Sequence, residues 1–187
     1  MAWALLFVSS MSAPASPMFP LSRGLVVAGL ALALTGCVRR SSTIPGTRIA
    51  DDRPNRDILK VVEEYRVAVE KGDAEALFLM ASDRYFEDSG TPVGMDDYGY
   101  DGLKDVLIGR FRAARDIRYA MKYVSIRRDC VEADPVPTGC IARVEALIDA
   151  SFTITDARGQ DRRTDKRDQN ELVLEWTGDR WKFVSGL

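Results

Sequence analysis

Residues 142–154, ARVEALIDASFTI, carry the clearest periodicity in the chain. Ala142, Val144, Ala146, Ile148, Ala150, Phe152 and Ile154 alternate with Arg143, Glu145, Asp149, Ser151 and Thr153, and Leu147 is the one exception. A period of two with one apolar parity describes a long strand, one face on a core and the other in water. Upstream, Ile117, Tyr119, Met121 and Tyr123 share one parity before Val124 and Ile126 take over the other, which predicts a bulge or bend near Tyr123. Downstream, the charged run Asp156 to Asp168 reads as a solvated hairpin tip. Leu172, Leu174 and Trp176 then form a third strand, Thr177 to Arg180 a tight turn, and Trp181, Phe183 and Val184 a fourth strand.

The segment before these strands is helical. From Asp57, the residues Ile58, Val62, Tyr65 and Val69 recur at spacings of three and four among charged neighbours, an amphipathic helix with one buried stripe. Gly72 suits the position after its last turn, and Asp73 can cap a second helix carrying Leu77, Phe78, Met80 and Ala81. Residues 87–100 (EDSGTPVGMDDYGY) read as a loop, in which Asp96 and Asp97 are turn residues rather than calcium ligands. Asp101 is then expected to cap a third helix with Leu103, Val106, Leu107 and Phe111 inward. Three helices followed by four antiparallel strands give an α+β domain, expected over 57–187.

Composition excludes several functions. The chain has 187 residues, 26 basic against 28 acidic side chains, a net charge of −2 and no histidine. A near-neutral balance argues against a phosphate-tracking surface for nucleic acid. The missing histidine removes Ser-His-Asp and Cys-His nucleophile pairs and every histidine-containing zinc motif. Neither a metal nor a cofactor is expected.

At the N-terminus, Arg23 precedes the apolar run Leu25 to Leu34, followed by Thr35, Gly36 and Cys37. The run is about half the roughly 20 residues of a membrane span and reads as a signal peptide covering 1–36, with translation expected to start at Met18. The stretch Leu34 to Cys37, LTGC, resembles the lipobox of bacterial lipoproteins. That resemblance implies acylation of Cys37, a mature N-terminus there, and a place in the cell envelope. Val38 in place of aspartate implies the outer membrane, facing the periplasm. Residues 37–56 are expected to be a lipidated, flexible tether to the membrane. Cys130 and Cys140, at the end of one strand and the start of the next, are expected to form a disulfide in such a compartment.

The helix with its tyrosine, then GDAEAL (72–77), DRYFED (83–88), YDGLKDVL (100–107) and the terminal WTGDRWKFVSGL (176–187) resemble the nuclear transport factor 2-like superfamily. The resemblance implies a cone, a strongly curved antiparallel sheet of four or more strands wrapped on a long helix, with an apolar pocket at its open end. By resemblance to the ketosteroid isomerases of that superfamily, Tyr65 matches their helix-one tyrosine, and Glu87-Asp88 matches the pair around their aspartate base after a one-residue gap. Asp168 and Gln169 lie near the place of their late-strand acid. Tyr85, Phe86, Tyr98, Tyr100, Phe111 and Trp176 are the candidate pocket aromatics.

Two functions follow as expectations. One is a non-catalytic envelope lipoprotein that binds an apolar small molecule or an envelope protein through the pocket or the sheet face. The other is an isomerase, cyclase or dehydratase with Asp88 as base and Tyr65 as hydrogen-bond donor. Pairing of two copies through the outer sheet face is a third expectation.

Overall fold

The computed structural model describes residues 42–88 and 94–187. The expected signal peptide and Cys37 lie outside the described residues. Three helices, α1 (Arg53–Lys71), α2 (Ala74–Met80) and α3 (Tyr100–Ala113), precede a sheet of β3 (Ala114–Asp129), β4 (Ile141–Thr155), β5 (Asp161–Trp176) and β6 (Trp181–Ser185). Two short strands, β1 (Phe86–Glu87) and β2 (Tyr98–Gly99), pair with each other between α2 and α3. The large sheet is antiparallel with strands in sequence order, the α+β arrangement expected.

The amphipathic stripe of α1 forms the centre of the core. Ile58 and Val62 are fully buried, Tyr65 and Ala68 nearly so, and they meet Val144, Leu172, Leu174 and Phe183 from the sheet. Each such aliphatic or aromatic side chain contributes roughly 1.5–3 kcal/mol through burial. Gly72 ends the helix in the left-handed region (φ 65°), its N–H closing on Ala68 and Val69 carbonyls, and Asp73 caps α2 through Ala76 N–H at 3.0 Å.

Side-chain contacts show how α1 lies along β3. Asp52 meets Arg128 at 2.8 Å, Glu63 accepts from the Tyr123 hydroxyl at 2.8 Å, and Arg66 donates to the Tyr119 carbonyl at 3.1 Å. The helix therefore runs antiparallel to the strand, and it stops while β3 continues to Ala114. The bend predicted near Tyr123 is present as a register shift between Tyr123 and Ser125. A second shift, between Arg115 and Arg118, surrounds Asp116 at φ 50°. Two irregularities in one strand raise its local twist and curl the sheet.

Four details differ from the sequence reading. First, α1 starts at Arg53 rather than Asp57. Asp52 is its cap, accepting from Asn55 N–H at 2.8 Å, and Pro54 occupies the first turn, where no N–H is required. Second, the described part of the expected tether, residues 42–56, is folded. Thr43 bridges Ala50 and Ile49 is 3% exposed. Third, the cap of α3 is Gly99, with no side-chain hydrogen bond, and Asp101 lies in the first helical turn, where its negative charge is stabilised by the positive end of the helix dipole. Fourth, the charged run 156–168 is a turn only to about Gln160, after which β5 begins. The strand has no apolar parity there because both faces are exposed. Its charges pair across strands instead, Arg167 with Asp149 at 2.6 Å and Arg115 with Asp161.

Cys130 and Cys140 are joined by a disulfide at the mouth of the β3–β4 connection. A loop this short removes unfolded-state entropy equivalent to about 3 kcal/mol. Replacing both cysteines by serine should lower the urea midpoint of unfolding by that equivalent, and added reductant should leave the double variant unchanged. An unaltered midpoint would contradict a stabilising crosslink.

Candidate functional site: a cavity beyond the end of the helix

Beyond Gly72, β3 and β4 run on without α1 over them. The space left is a cavity of about 660 Å³. Its walls are Val69 from the last turn of α1, Phe111 from α3, Ile117 and Tyr119 from β3, and Ile148, Ala150, Phe152 and Ile154 from β4. The inward parity of β4 thus does two things: Ala142 and Val144 pack the core, and the residues from Ile148 onward line the hollow. Lys166, Asp168 and Asn170 of β5 and a rim of Glu87, Tyr98, Arg110, Gly186 and Leu187 complete it. The volume falls in the range of roughly 300–1,000 Å³ usual for small-molecule sites.

The rim is tied by hydrogen bonds. Glu87 Oε2 accepts from the Tyr85 hydroxyl at 2.8 Å and from the Gly186 N–H at 2.7 Å, while Leu187 N–H donates to the Tyr85 oxygen at 3.1 Å. Arg110 donates to the Leu187 main-chain oxygen at 3.1 Å and to the Tyr98 hydroxyl at 3.0 Å. This carboxylate and this guanidinium fasten residues 186–187 against the rim. Gly186 has φ 94°, and a Cβ there would meet the Glu171 carbonyl at 2.9 Å, so only glycine fits this close passage.

In the apolar wall the polar feature is a tyrosine pair. The Tyr65 and Tyr119 hydroxyls are 3.1 Å apart, with rings edge to face at 6.0 Å. Tyr65 sits behind Tyr119, against Phe183, with its phenol raised well above the usual range by burial and then by the neighbouring Tyr119. Burial also raises Tyr119. Two hydroxyls that share one hydrogen bond leave one proton over. If Tyr119 donated, the Tyr65 proton would be left in the core, where no other acceptor among the described residues bonds it. Donation from Tyr65 to Tyr119 instead leaves the spare proton on Tyr119, a residue of the cavity wall.

The expected site residues separate into groups. Tyr98, Phe111 and Asp168 line the cavity, and Tyr65 is one hydrogen bond behind its wall. Tyr85 is buried beneath the rim, where it holds Glu87. Asp88 is exposed and lines no part of the cavity. The reason is the period of the strand: Tyr85 and Glu87 turn inward, so Phe86 (54% exposed) and Asp88 turn outward. Tyr100 packs on Phe78 with ring centroids 4.7 Å apart. Trp176 lies at the opposite end of the sheet against Trp181, beside the disulfide loop. Gln169 faces the outer sheet surface, donating to Glu145. The sequence reading passed over Tyr119, Arg110, Lys166 and Asn170 as site residues, and it placed weight on Asp88 where Glu87 faces inward. Applying the period of two from Tyr85 onward is the signal that distinguishes Glu87 from Asp88.

No family model matches the chain, and no curated protein matches it. Solved structures do share its fold. One is a scytalone dehydratase candidate from Novosphingobium aromaticivorans (19% identity, 71% of this chain and 80% of that one, TM-score 0.56). Another is a ketosteroid isomerase-like protein from Erwinia carotovora atroseptica (19% identity, 70% and 90%, TM-score 0.51). A conserved protein from Planctomyces limnophilus matches as well (14% identity, 71% and 91%, TM-score 0.53). At these identities the likeness concerns architecture. The domain has the curved-sheet α+β fold of ketosteroid isomerase-like proteins.

The buried phenols set an alkaline limit. Tyr65, Tyr85, Tyr119 and Tyr123 are all raised, in each case chiefly by burial. Above the ordinary tyrosine range the unfolded chain loses these protons and the folded chain keeps them. Stability is therefore full below about pH 10 and falls as pH climbs past it. Phenolate absorbance followed with circular dichroism should show these four ionising together with unfolding; reversible ionisation near pH 10 in the folded chain would contradict their burial.

Proposed function

We propose that this protein is a lipid-anchored envelope protein whose cavity binds an apolar small molecule bearing a hydrogen-bond-accepting oxygen, without turning it over. The observation that carries the reading is the cavity wall itself, aliphatic and aromatic side chains with Tyr119 among them. Such a surface rewards burial of a hydrocarbon body. The hydroxyl orients it, because an oxygen placed against Tyr119 takes up the proton that the tyrosine pair leaves over. Export is supported by the leader pattern before Cys37 and by a disulfide, which persists in oxidising compartments.

A catalytic reading needs a carboxylate facing the ligand with an oxygen to spare for a proton. Asp88 is outside the cavity; Glu87 lines it, but its Oε2 is held by both Tyr85 and Gly186 as part of the rim, which leaves only Oε1 for a proton. Asp168 is the second acid that keeps this reading in view, since it shares the cavity with Glu87 and Tyr119, at a position exposed to water and 3.5 Å from Lys166. The similar proteins whose names refer to an isomerase and a dehydratase have the same architecture.

Prodan, an apolar naphthyl ketone whose emission shifts to the blue in apolar surroundings, tests the binding reading. The chain should bind it. Ala150→Phe, which fills the wall, should abolish the shift, and Tyr119→Phe should weaken binding about tenfold, the equivalent of one hydrogen bond of about 1.4 kcal/mol. Asp88→Asn should change nothing. Equal affinity in the parent and Ala150→Phe would overturn the reading. Catalysed exchange of the ketone's α-protons in heavy water, abolished by Asp168→Asn, would replace binding with catalysis.

Anchoring has its own test. Expressed with its leader in a bacterial host, the chain should carry acyl mass on Cys37 and partition with membranes, and Cys37→Ser should release it. Unacylated, unprocessed product in the cytosol would overturn export.

A further inference from the structure

We infer that the end of the domain bearing Arg48, Arg53 and the disulfide loop rests against the lipid surface, with the cavity opening away from it. The inference depends on the lipid anchor proposed at Cys37 and deepens it. Its basis is the length of the connection. The sequence pattern alone allowed a long flexible tether, but the chain is already folded at Ser42. The Ser42 carbonyl accepts from Asp51 N–H at 2.7 Å, Ile44 from Thr47 N–H at 3.0 Å, and Ile49 is buried. Five peptide steps separate Cys37 from Ser42. Fully extended, they span at most about 18 Å.

That reach is short compared with the domain. The 15 residues of β4 alone extend about 50 Å along the strand. A body held by so short a link keeps the end that carries Ser42 near the headgroups. Two clefts define what else lies at that end. Arg48 and Ile49 share a groove with Cys130 and Glu132, and Arg53 and Pro54 share a cleft with Pro135, Trp176 and Trp181. Within the disulfide loop Val131 is 80% exposed, and Trp176 is half-buried. An exposed aliphatic side chain and an indole beside arginines suit the headgroup region. The acidic Asp57, Glu132 and Asp134 in the same clefts offset those arginines, so the contact is enforced by the link and not by attraction to anionic lipid.

The cavity belongs to the other end. Ile141 of β4 is bonded to the disulfide end of the sheet, and Ile154, at the cavity, is about 43 Å further along the strand. Ligand would therefore enter and leave from the aqueous compartment or from a soluble carrier, and would not slide in from the bilayer.

Removal of residues 1–36 leaves Trp176 and Trp181 as the only tryptophans, both at the proposed membrane end. The acylated full chain is reconstituted in phosphatidylethanolamine–phosphatidylglycerol vesicles with a dansyl-headgroup acceptor, and acylation is checked by mass. Energy transfer from tryptophan should be strong. It should fall at least twofold when a Gly/Ser insert of about 30 residues after Arg40 adds about 30 Å of mean reach. Arg158→Trp, in the turn at the far tip, should add emission that the acceptor does not take. An acylated chain with weak transfer that the insert does not change, or with equal transfer from position 158, overturns the orientation and leaves the anchor standing. A chain without acyl mass overturns both.

Discussion

A helix advances 1.5 Å per residue and a strand about 3.3 Å, and this mismatch shapes the protein. From its cap Asp52 to Arg66, α1 runs beside the ten residues of β3 from Arg128 back to Tyr119, as the contacts of Asp52, Glu63 and Arg66 show. Gly72 then stops the helix while both long strands continue. Where helix and sheet overlap, Ile58, Val62 and Tyr65 fill the concave face solidly. Where they do not, the same inward parity of β4 lines a hollow. Core and cavity are thus two halves of one strand pattern, divided at the point where the helix gives out.

The curl of the sheet follows from β3. Its two register shifts bend the strand, so β4 and β5 wrap toward α3 instead of running flat past it. Phe111 and Arg110 of α3 close the side that α1 leaves open, and residues 186–187 are drawn to the rim by Glu87, Tyr85 and Arg110. At the opposite end, the disulfide and the Trp176–Trp181 pair finish the narrow end of the cone. The polar groups of the site accordingly serve two purposes. Glu87 and Arg110 hold structure, and the Tyr65–Tyr119 pair has one hydroxyl proton outside its own hydrogen bond.

What was legible in the sequence was what burial writes into it. The α1 stripe, the alternation from Ala142 to Ile154, the parity change at Tyr123 and the two cysteines each appear where they were expected. The illegible parts were those where side-chain hydropathy carries no information. The first half of β5 is strand because its backbone pairs with β4, and its charged side chains have no buried face to reveal that. Gly99 caps α3 with no side chain at all. The site suffered for a related reason: an aromatic residue signals apolar surroundings without saying which end of the cone it occupies. Trp176 and Phe111 look alike in the sequence and lie at opposite ends. Asp88 and Glu87 differ by one position, and in a strand one position is the difference between solvent and cavity.

Ligand binding requires that the hollow beyond Gly72 be open to a small molecule. A crystal structure of the chain soaked with an apolar ketone tests this most directly. Density for the ketone between Ile148, Phe152 and Phe111, with its oxygen at hydrogen-bond distance from the Tyr119 hydroxyl, is the predicted result. A space closed by Phe152 and Ile154 packed onto Val69 and Phe111, with no ligand density, would contradict it.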